Sequence, residues 1–274
     1  SQTIGAIIPT MENAIFAEGM QAFQEKLQAA GYTLLIASSS YDAAIEADEI
    51  RTLVARGADA LLLIGFDRDP TLYRFLETQA VPVLVAWTHD PNAELPSIGF
   101  DNRAAMATLV KHAIDLGHRK IGMISARVST NDRARARVEG ARAAMSDAGL
   151  PELIVEETDY GIAEGAAAFD RLLSRDPDLS LVLCGNDVLA AGAIQAAAAS
   201  GIAVPQDISI TGFDDISLAQ LVTPGLTTVR VPHRAMGDAA AKALIGMLNG
   251  EDPQGRLLPT ELCLRASLAA PKGA

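Results

Sequence analysis

What this 274-residue sequence lacks narrows the field first. No apolar run approaches the roughly 20 residues of a membrane-spanning helix, so no membrane partner is expected. The opening SQTIGAIIPT has neither the basic start nor the long apolar run of a signal peptide. It reads instead as a strand entered almost at once, as if something upstream were cut away. Basic charge is scarce: the net charge is -12, and no Lys/Arg cluster exceeds HRK at 118–120 and the alternating RARAR at 133–137. Such a surface repels a phosphate backbone on average, so this chain by itself should bind nucleic acid poorly. Only two cysteines occur, Cys184 and Cys263, far apart and in apolar stretches. They read as reduced core thiols rather than a disulfide or a metal pair, which fits a cytoplasmic setting.

Enzyme signatures are missing as well. There is no G-x-G-x-x-G, no Walker loop, no G-x-S-x-G and no H-E-x-x-H. The four histidines, His89, His112, His118 and His233, show no ligand spacing among themselves. The chain is therefore expected to be no enzyme and to hold neither metal nor cofactor. His118, beside Gly117 at a helix end, is placed to satisfy free carbonyls.

What is present is a large apolar fraction, 49% of residues, in a strict alternation. Continuous runs rich in Ile, Leu and Val lie at 3–9, 32–38, 59–65, 81–87, 120–125, 152–157, 179–185 and 207–213. Such runs suit parallel strands covered on both faces. Helix-period segments separate them, and five of these end in Gly31, Gly57, Gly117, Gly149 and Gly201. A glycine just past a helix relieves the left-handed position there. Repeated β–α–Gly–β units give an α/β fold of doubly wound parallel sheets.

There are too many strands for one tidy sheet, and HDPNAELPSIGFDN at 89–102 interrupts the pattern. The expectation is two similar lobes: residues 1–100 with 231–261, and 101–230 with 262–274. Sites in such sheets lie beyond the carboxyl ends of the strands. Asn13, Phe16, Asp67, Arg68 and Trp87 stand there in the first half. In the second stand Asn131, Arg133, Arg137, Tyr160, Asn186 with Asp187, and Asp214 with Asp215. Aromatic faces, guanidinium forks, amides and a carboxylate together suit a polyol, whose C–H faces are apolar and whose hydroxyls need donors and acceptors. Each residue has an ordinary reading too: Trp87 as core, Arg137 as an exposed helix residue, Asn186 as the N-cap of a helix beginning at Asp187.

One enzyme-like pattern competes. LLLIGFDRDPT places Asp67, Asp69 and Thr71 in a D-x-D-x-T arrangement that resembles haloacid-dehalogenase-type phosphotransferases, with Asp67 as nucleophile and magnesium holding phosphate. The pattern follows the third strand rather than opening the domain, and TLYRFLETQ reads as an immediate helix. Asp69 is equally the N-cap before Pro70.

Longer stretches resemble a known family in order along essentially the whole chain. GAIIPTMENAIFAEGMQAFQEKLQAAGYTLLIASS, IGFDNRAAMATLVKHAIDLGHRKIGMIS, CGNDVLAAGAIQAAAASGIAVPQDISITGFDDISLAQLVTPGLTTVRVP and LLPTELCLRAS are similar to the effector-binding region of LacI/GalR-type bacterial repressors. The resemblance implies a periplasmic-binding-protein type I fold of two lobes joined by three crossovers. It implies that Phe16 packs on an effector, that Arg137 and Asp214 bond its polar groups with Asn186, and that Tyr160 stacks. Trp87 falls where a purine-responsive member has a tryptophan; Asn13, Ile15, Asn131 and Arg133 line the same region. Two departures stand out: Ala86 replaces a frequent Asp, and Ile15 replaces an aromatic, which reduces stacking on that wall. The GFDN form and the AIFAE start resemble gluconate-type regulators, pointing toward sugar acids.

The implied mechanism is allosteric: an effector favours one closure of the lobes, read by a helix-turn-helix head preceding Ser1 that alone contacts operator DNA. A homodimer is implied, with segments 14–30, 70–90 and 216–223 as candidate surfaces. Within this reading Asp214 accepts hydrogen bonds from the effector, and Asp215 caps the turn ISLAQL. The rival is a periplasmic sugar-binding transport receptor of the same fold, which would lack the G-H-R turn and the VTPGLTTVRVP segment.

Overall fold

A computed structural model describes all residues 1–274. The chain divides into two compact units, Ser1–Asp101 with Pro232–Pro259 and Asn102–Val231 with Thr260–Ala274, so it passes between them three times. The first unit begins with β1 (Thr3–Ile8), α1 (Ala17–Ala29), β2 (Thr33–Ser38) and α2 (Ala43–Ala55). It goes on through β3 (Ala60–Ile64), α3 (Pro70–Thr78), β4 (Val83–Ala86) and β5 (Ser97–Gly99). The second unit begins with α4 (Asn102–Asp115), β6 (Ile121–Ser125), α5 (Asp132–Asp147) and β7 (Ile154–Glu157). Then come α6 (Ile162–Arg175), β8 (Leu181–Cys184), α7 (Asp187–Ala199), β9 (Ser209–Thr211), α8 (Leu218–Leu221) and β10 (Thr228–Arg230). The chain returns to the first unit for α9 (His233–Leu248) and β11 (Arg256–Leu257), and ends in the second with β12 (Glu261–Cys263).

The first unit carries a six-stranded sheet in the order β11-β5-β4-β3-β1-β2, parallel at every pairing. The second carries a parallel sheet in the order β7-β6-β8-β9 and a separate antiparallel pair, β10-β12. In both parallel sheets the order reverses beside the first strand, between β1 and β3 and between β6 and β8. These are the points where a doubly wound sheet leaves a crevice at its carboxyl edge.

All eight apolar runs form strands, because each central strand is buried on both faces: β3 and β6 have no exposed residue. The five helix-terminal glycines take φ of 85°, 85°, 110°, 68° and 69°, the left-handed region that a side chain resists. β5 is the strand the sequence pattern hides. With only three residues it offers no periodicity, yet it pairs with both β4 and β11 inside the stretch read as an interruption. No helix is long and apolar enough to cross a membrane.

Helices pack in pairs through glycine. A Cβ on Gly237 of α9 would lie 2.1 Å from the Gly19 carbonyl oxygen of α1, and one on Gly192 of α7 would lie 2.0 Å from the Ile162 oxygen of α6. Both obstacles are backbone, which cannot swing aside as a side chain can. Alanine would add about 1 kcal/mol of helix propensity at an ordinary position. The backbone clash outweighs it, at about 1–3 kcal/mol. Gly192→Ala is therefore expected to destabilise the protein in urea unfolding, and a more stable variant would contradict this packing.

Candidate functional site

In the second unit the carboxyl ends of four adjacent strands present the predicted residues on one edge. Tyr160 follows β7, Asn131, Arg133 and Arg137 follow β6, Asn186 follows β8, and Asp214 follows β9. Arg137 ties this edge together. It is 5% exposed, and its Nε donates to Asn102 Oδ1 (2.9 Å) while Nη1 donates to the Gly185 carbonyl (2.9 Å). Its guanidinium lies 4.2 Å from the centre of the Phe213 ring, a cation–π stack. One side chain on α5 thus touches α4, the end of β8 and the end of β9. Read as a sequence, Arg137 could have been an exposed helix residue; the structure buries it.

Asn131 and Asn186 are both N-caps: Asn131 Oδ1 accepts from Ala134 N (3.1 Å) and Asn186 Oδ1 from Leu189 N (3.0 Å). The ordinary reading of Asn186 therefore holds. It does not exclude a second role, because capping uses only the carbonyl oxygen and the amide hydrogens can still donate. Burial pushes the Tyr160 phenol above its usual pKa; Arg137 and Arg133 oppose that shift and Asp214 reinforces it, so these groups share one field. Asp214 is 3% exposed and holds φ at +105°, with its N–H on the Val229 oxygen and its carbonyl accepting from Val231 N.

The first unit contributes a different chemistry. Phe16, just before α1, and Trp87, just after β4, meet edge to face with ring centres 5.2 Å apart at 66°. Both are buried, and Gly19 makes the room: a Cβ there would lie 2.6 Å from the indole. Ile15 is buried beside them in the chain, whereas Asn13 is exposed in a left-handed turn. Asp69 Oδ1 accepts from Thr71 N and Oγ1, both at 2.7 Å, with Pro70 opening α3. The aspartate of the D-x-D-x-T pattern is thus the helix cap, which explains the motif without phosphotransfer.

Residues 110–268 match the periplasmic binding protein-like domain family. The HTH-type transcriptional regulator MalR of Streptomyces coelicolor is 33% identical over 283 residues, covering 98% of this chain and 81% of that protein. The chain belongs to the LacI/GalR-type transcriptional regulators. The crystal structure of transcription regulator GntR from Chromobacterium violaceum matches with a TM-score of 0.90 at 33% identity, covering 97% of this chain and 99% of that one. The transcriptional regulator CelR–cellobiose complex matches with a TM-score of 0.86 at 26% identity, covering 97% and 84%. The fold is the periplasmic-binding-protein-like one, and this LacI/GalR-type chain is an effector-binding domain.

Two expectations need correction. Asp215 does not cap the turn that follows it. That N–H, on Ile216, goes to Asp187 Oδ2 (2.8 Å), while Asp187 Oδ1 accepts from the Thr228 hydroxyl (2.7 Å). Burial, reinforced by Asp214, raises the Asp187 pKa well above the usual carboxylate range. Asp215 instead receives Arg265 Nη1 on Oδ1 and Arg230 Nε on Oδ2, both at 2.8 Å. Cys263 is also not a core thiol: it is half-buried on β12, with Sγ 3.8 Å from Asp215 Oδ2, while Cys184 is fully buried. Sequence reading passed over Asn102 and Phe213 as working groups. Asn102 and Phe213 stood in the quoted GFDN and GFDD, but only the folded register puts them on either side of Arg137.

Burial works to raise the Asp215 carboxyl, but the bonds from Arg265 and Arg230 outweigh it and hold its pKa below the usual range. A depressed folded pKa adds stability above the unfolded value of about 3.9, and that stability is lost as pH falls through the folded value. Asp215→Asn should cost about 1–3 kcal/mol at pH 7, since it takes the shared carboxylate from Arg265 and from the half-exposed Arg230 while their bonds to Leu226 and Glu261 remain. In urea unfolding at a series of pH values, the gap between parent and variant should close below about pH 4. A gap that stays constant into acid would disprove the ion-pair account.

Proposed function

We propose that this effector-binding domain takes a small polyhydroxylated molecule, a sugar or sugar acid, and binds it without transforming it. The observation that carries this reading is the strand edge of the second unit, where donors, a carboxylate acceptor and an aromatic hydroxyl converge around Arg137. Arg137, Asn186, Asp214 and Tyr160 are the proposed polar contacts, with Asn131 and Arg133 beside them. Phe16 and Trp87, with Ile15 and Asn13, are proposed to offer a ring's apolar C–H face a partner. The similarity to the CelR–cellobiose complex supports a carbohydrate class.

In this reading the protein is a cytoplasmic homodimer that reaches operator DNA through a helix-turn-helix segment outside these residues, since its charge of -12 suits no phosphate backbone. The effector shifts operator affinity only by its differential affinity for two conformations, a coupling of about 1–3 kcal/mol. Size-exclusion chromatography with light scattering tests the dimer; a stable monomer would favour a transport receptor.

A thermal-shift screen of sugars and sugar acids, followed by calorimetry, tests the site. Asp214→Asn is the informative variant because asparagine tolerates φ of +105° far better than alanine does. Affinity should fall about 10- to 100-fold as a charge-assisted acceptor is lost. Unchanged affinity would remove Asp214 from the site.

A further inference from the structure

We infer that the effector carries an anionic group, a carboxylate or a phosphate, and that Arg133 is the residue that reads it. This rests on the strand edge of the second unit being the effector site.

Arg133 and Arg137 stand one turn apart on α5, yet their situations differ. Arg137 is committed to the fold through Asn102, the Gly185 carbonyl and the Phe213 face. Arg133 is 8% exposed, and the hydrogen bond its guanidinium makes within the protein is Nη1 to Asp132 Oδ1, 3.1 Å, on the preceding residue. A guanidinium has five N–H donors in a rigid fork. A single-point contact to a neighbouring carboxylate leaves that fork largely unspent, and withdrawing such a charge from water is costly unless acceptors meet it. Carboxylate and phosphate oxygens match the fork two at a time.

The surroundings agree. Arg133 lies in the first turn of α5, a 16-residue helix whose amino end is closed by Asn131, and the positive end of the helix dipole adds to its field. Arg133, Arg137 and Asp214 all act on the Tyr160 hydroxyl, which places Arg133 in the same cluster as the proposed contacts. The carboxylates of that neighbourhood fix the orientation. Asp214 repels an anion and suits hydroxyls, so the acidic end of the ligand lies toward Arg133 and the polyol toward Asp214. Arg133 is in this account a specificity determinant, separating acidic sugars from neutral ones.

The test is isothermal titration calorimetry of the chain with aldonates, uronates and sugar 6-phosphates of the gluco, galacto and manno series, each beside its neutral parent sugar. The tightest binder should be acidic, about 10- to 100-fold tighter than its parent. The carboxylate and phosphate arms identify which anion is preferred. Arg133→Gln should erase most of that ratio by weakening the acid far more than its neutral parent, and Arg133→Lys, which keeps charge but not the fork, should retain part of it. A neutral sugar binding as tightly as its acid, or an Arg133→Gln loss shared equally by both, would overturn the inference while leaving the polyol site standing. Failure of every acidic and neutral member to bind would overturn the polyol reading and this inference with it.

Discussion

Two adjacent carboxylates just past a buried strand must each find compensation, and β9 runs through Gly212 and Phe213 into Asp214 and Asp215. A carboxylate withdrawn from water either pairs, accepts strong hydrogen bonds or gives up its charge. The second unit uses all three solutions within three carboxylates. Asp215 pairs with Arg230 and Arg265. Asp187 accepts from a backbone N–H and a hydroxyl, and its burial favours the protonated form. Asp214 shares the electrostatic field around Tyr160 with Arg137 and Arg133. Consecutive left-handed residues make the division possible: φ of +105° and +57° turn the two carboxylates to different surroundings.

The consequence reaches beyond the strand. Arg230 belongs to β10 and also meets Glu261 of β12, while Arg265 follows β12 and donates to the Leu226 carbonyl. Asp215 is therefore the point on which both antiparallel strands are stapled to the end of the parallel sheet. Those strands adjoin two of the three passages between units, at 231–232 and 259–260. Gly212 is required by the same arrangement, since a Cβ there would lie 2.3 Å from Asp187 Oδ1. Single changes in this small region should act on several elements together rather than one at a time.

Strong local signals were legible in the sequence. The apolar runs became strands because two-sided burial demands them, and the glycines after helices met a backbone requirement that is local. The caps at Asp69 and Asn186 were equally local, since an Asx side chain reaches only its own helix start. What escaped was set by contacts distant along the chain. Asp215 looked like a cap because its partners, Arg230 and Arg265, lie 15 and 50 residues away. Asp187, one residue into α7, spends its carboxylate on Ile216 and Thr228 instead, 29 and 41 residues on. β5 is invisible for the same reason: three residues carry no period, and it is a strand only because β4 and β11 flank it.

The two strand edges also differ in what they can recognise. That of the first unit ends in a buried edge-to-face pair, Phe16 and Trp87, with the apolar Ile15 and Ala86 next to them in the chain. Such a surface can cover an apolar face but has little with which to choose among hydroxyl configurations. The edge of the second unit holds the guanidinium groups, amides, phenol and carboxylate. Buried hydrogen-bonding groups discriminate more sharply than apolar walls, because a mismatched ligand leaves them unpaired at a cost of about 1–3 kcal/mol each. Selectivity in this protein should accordingly follow substitutions along α5 and the end of β9 far more than substitutions at Phe16 or Trp87.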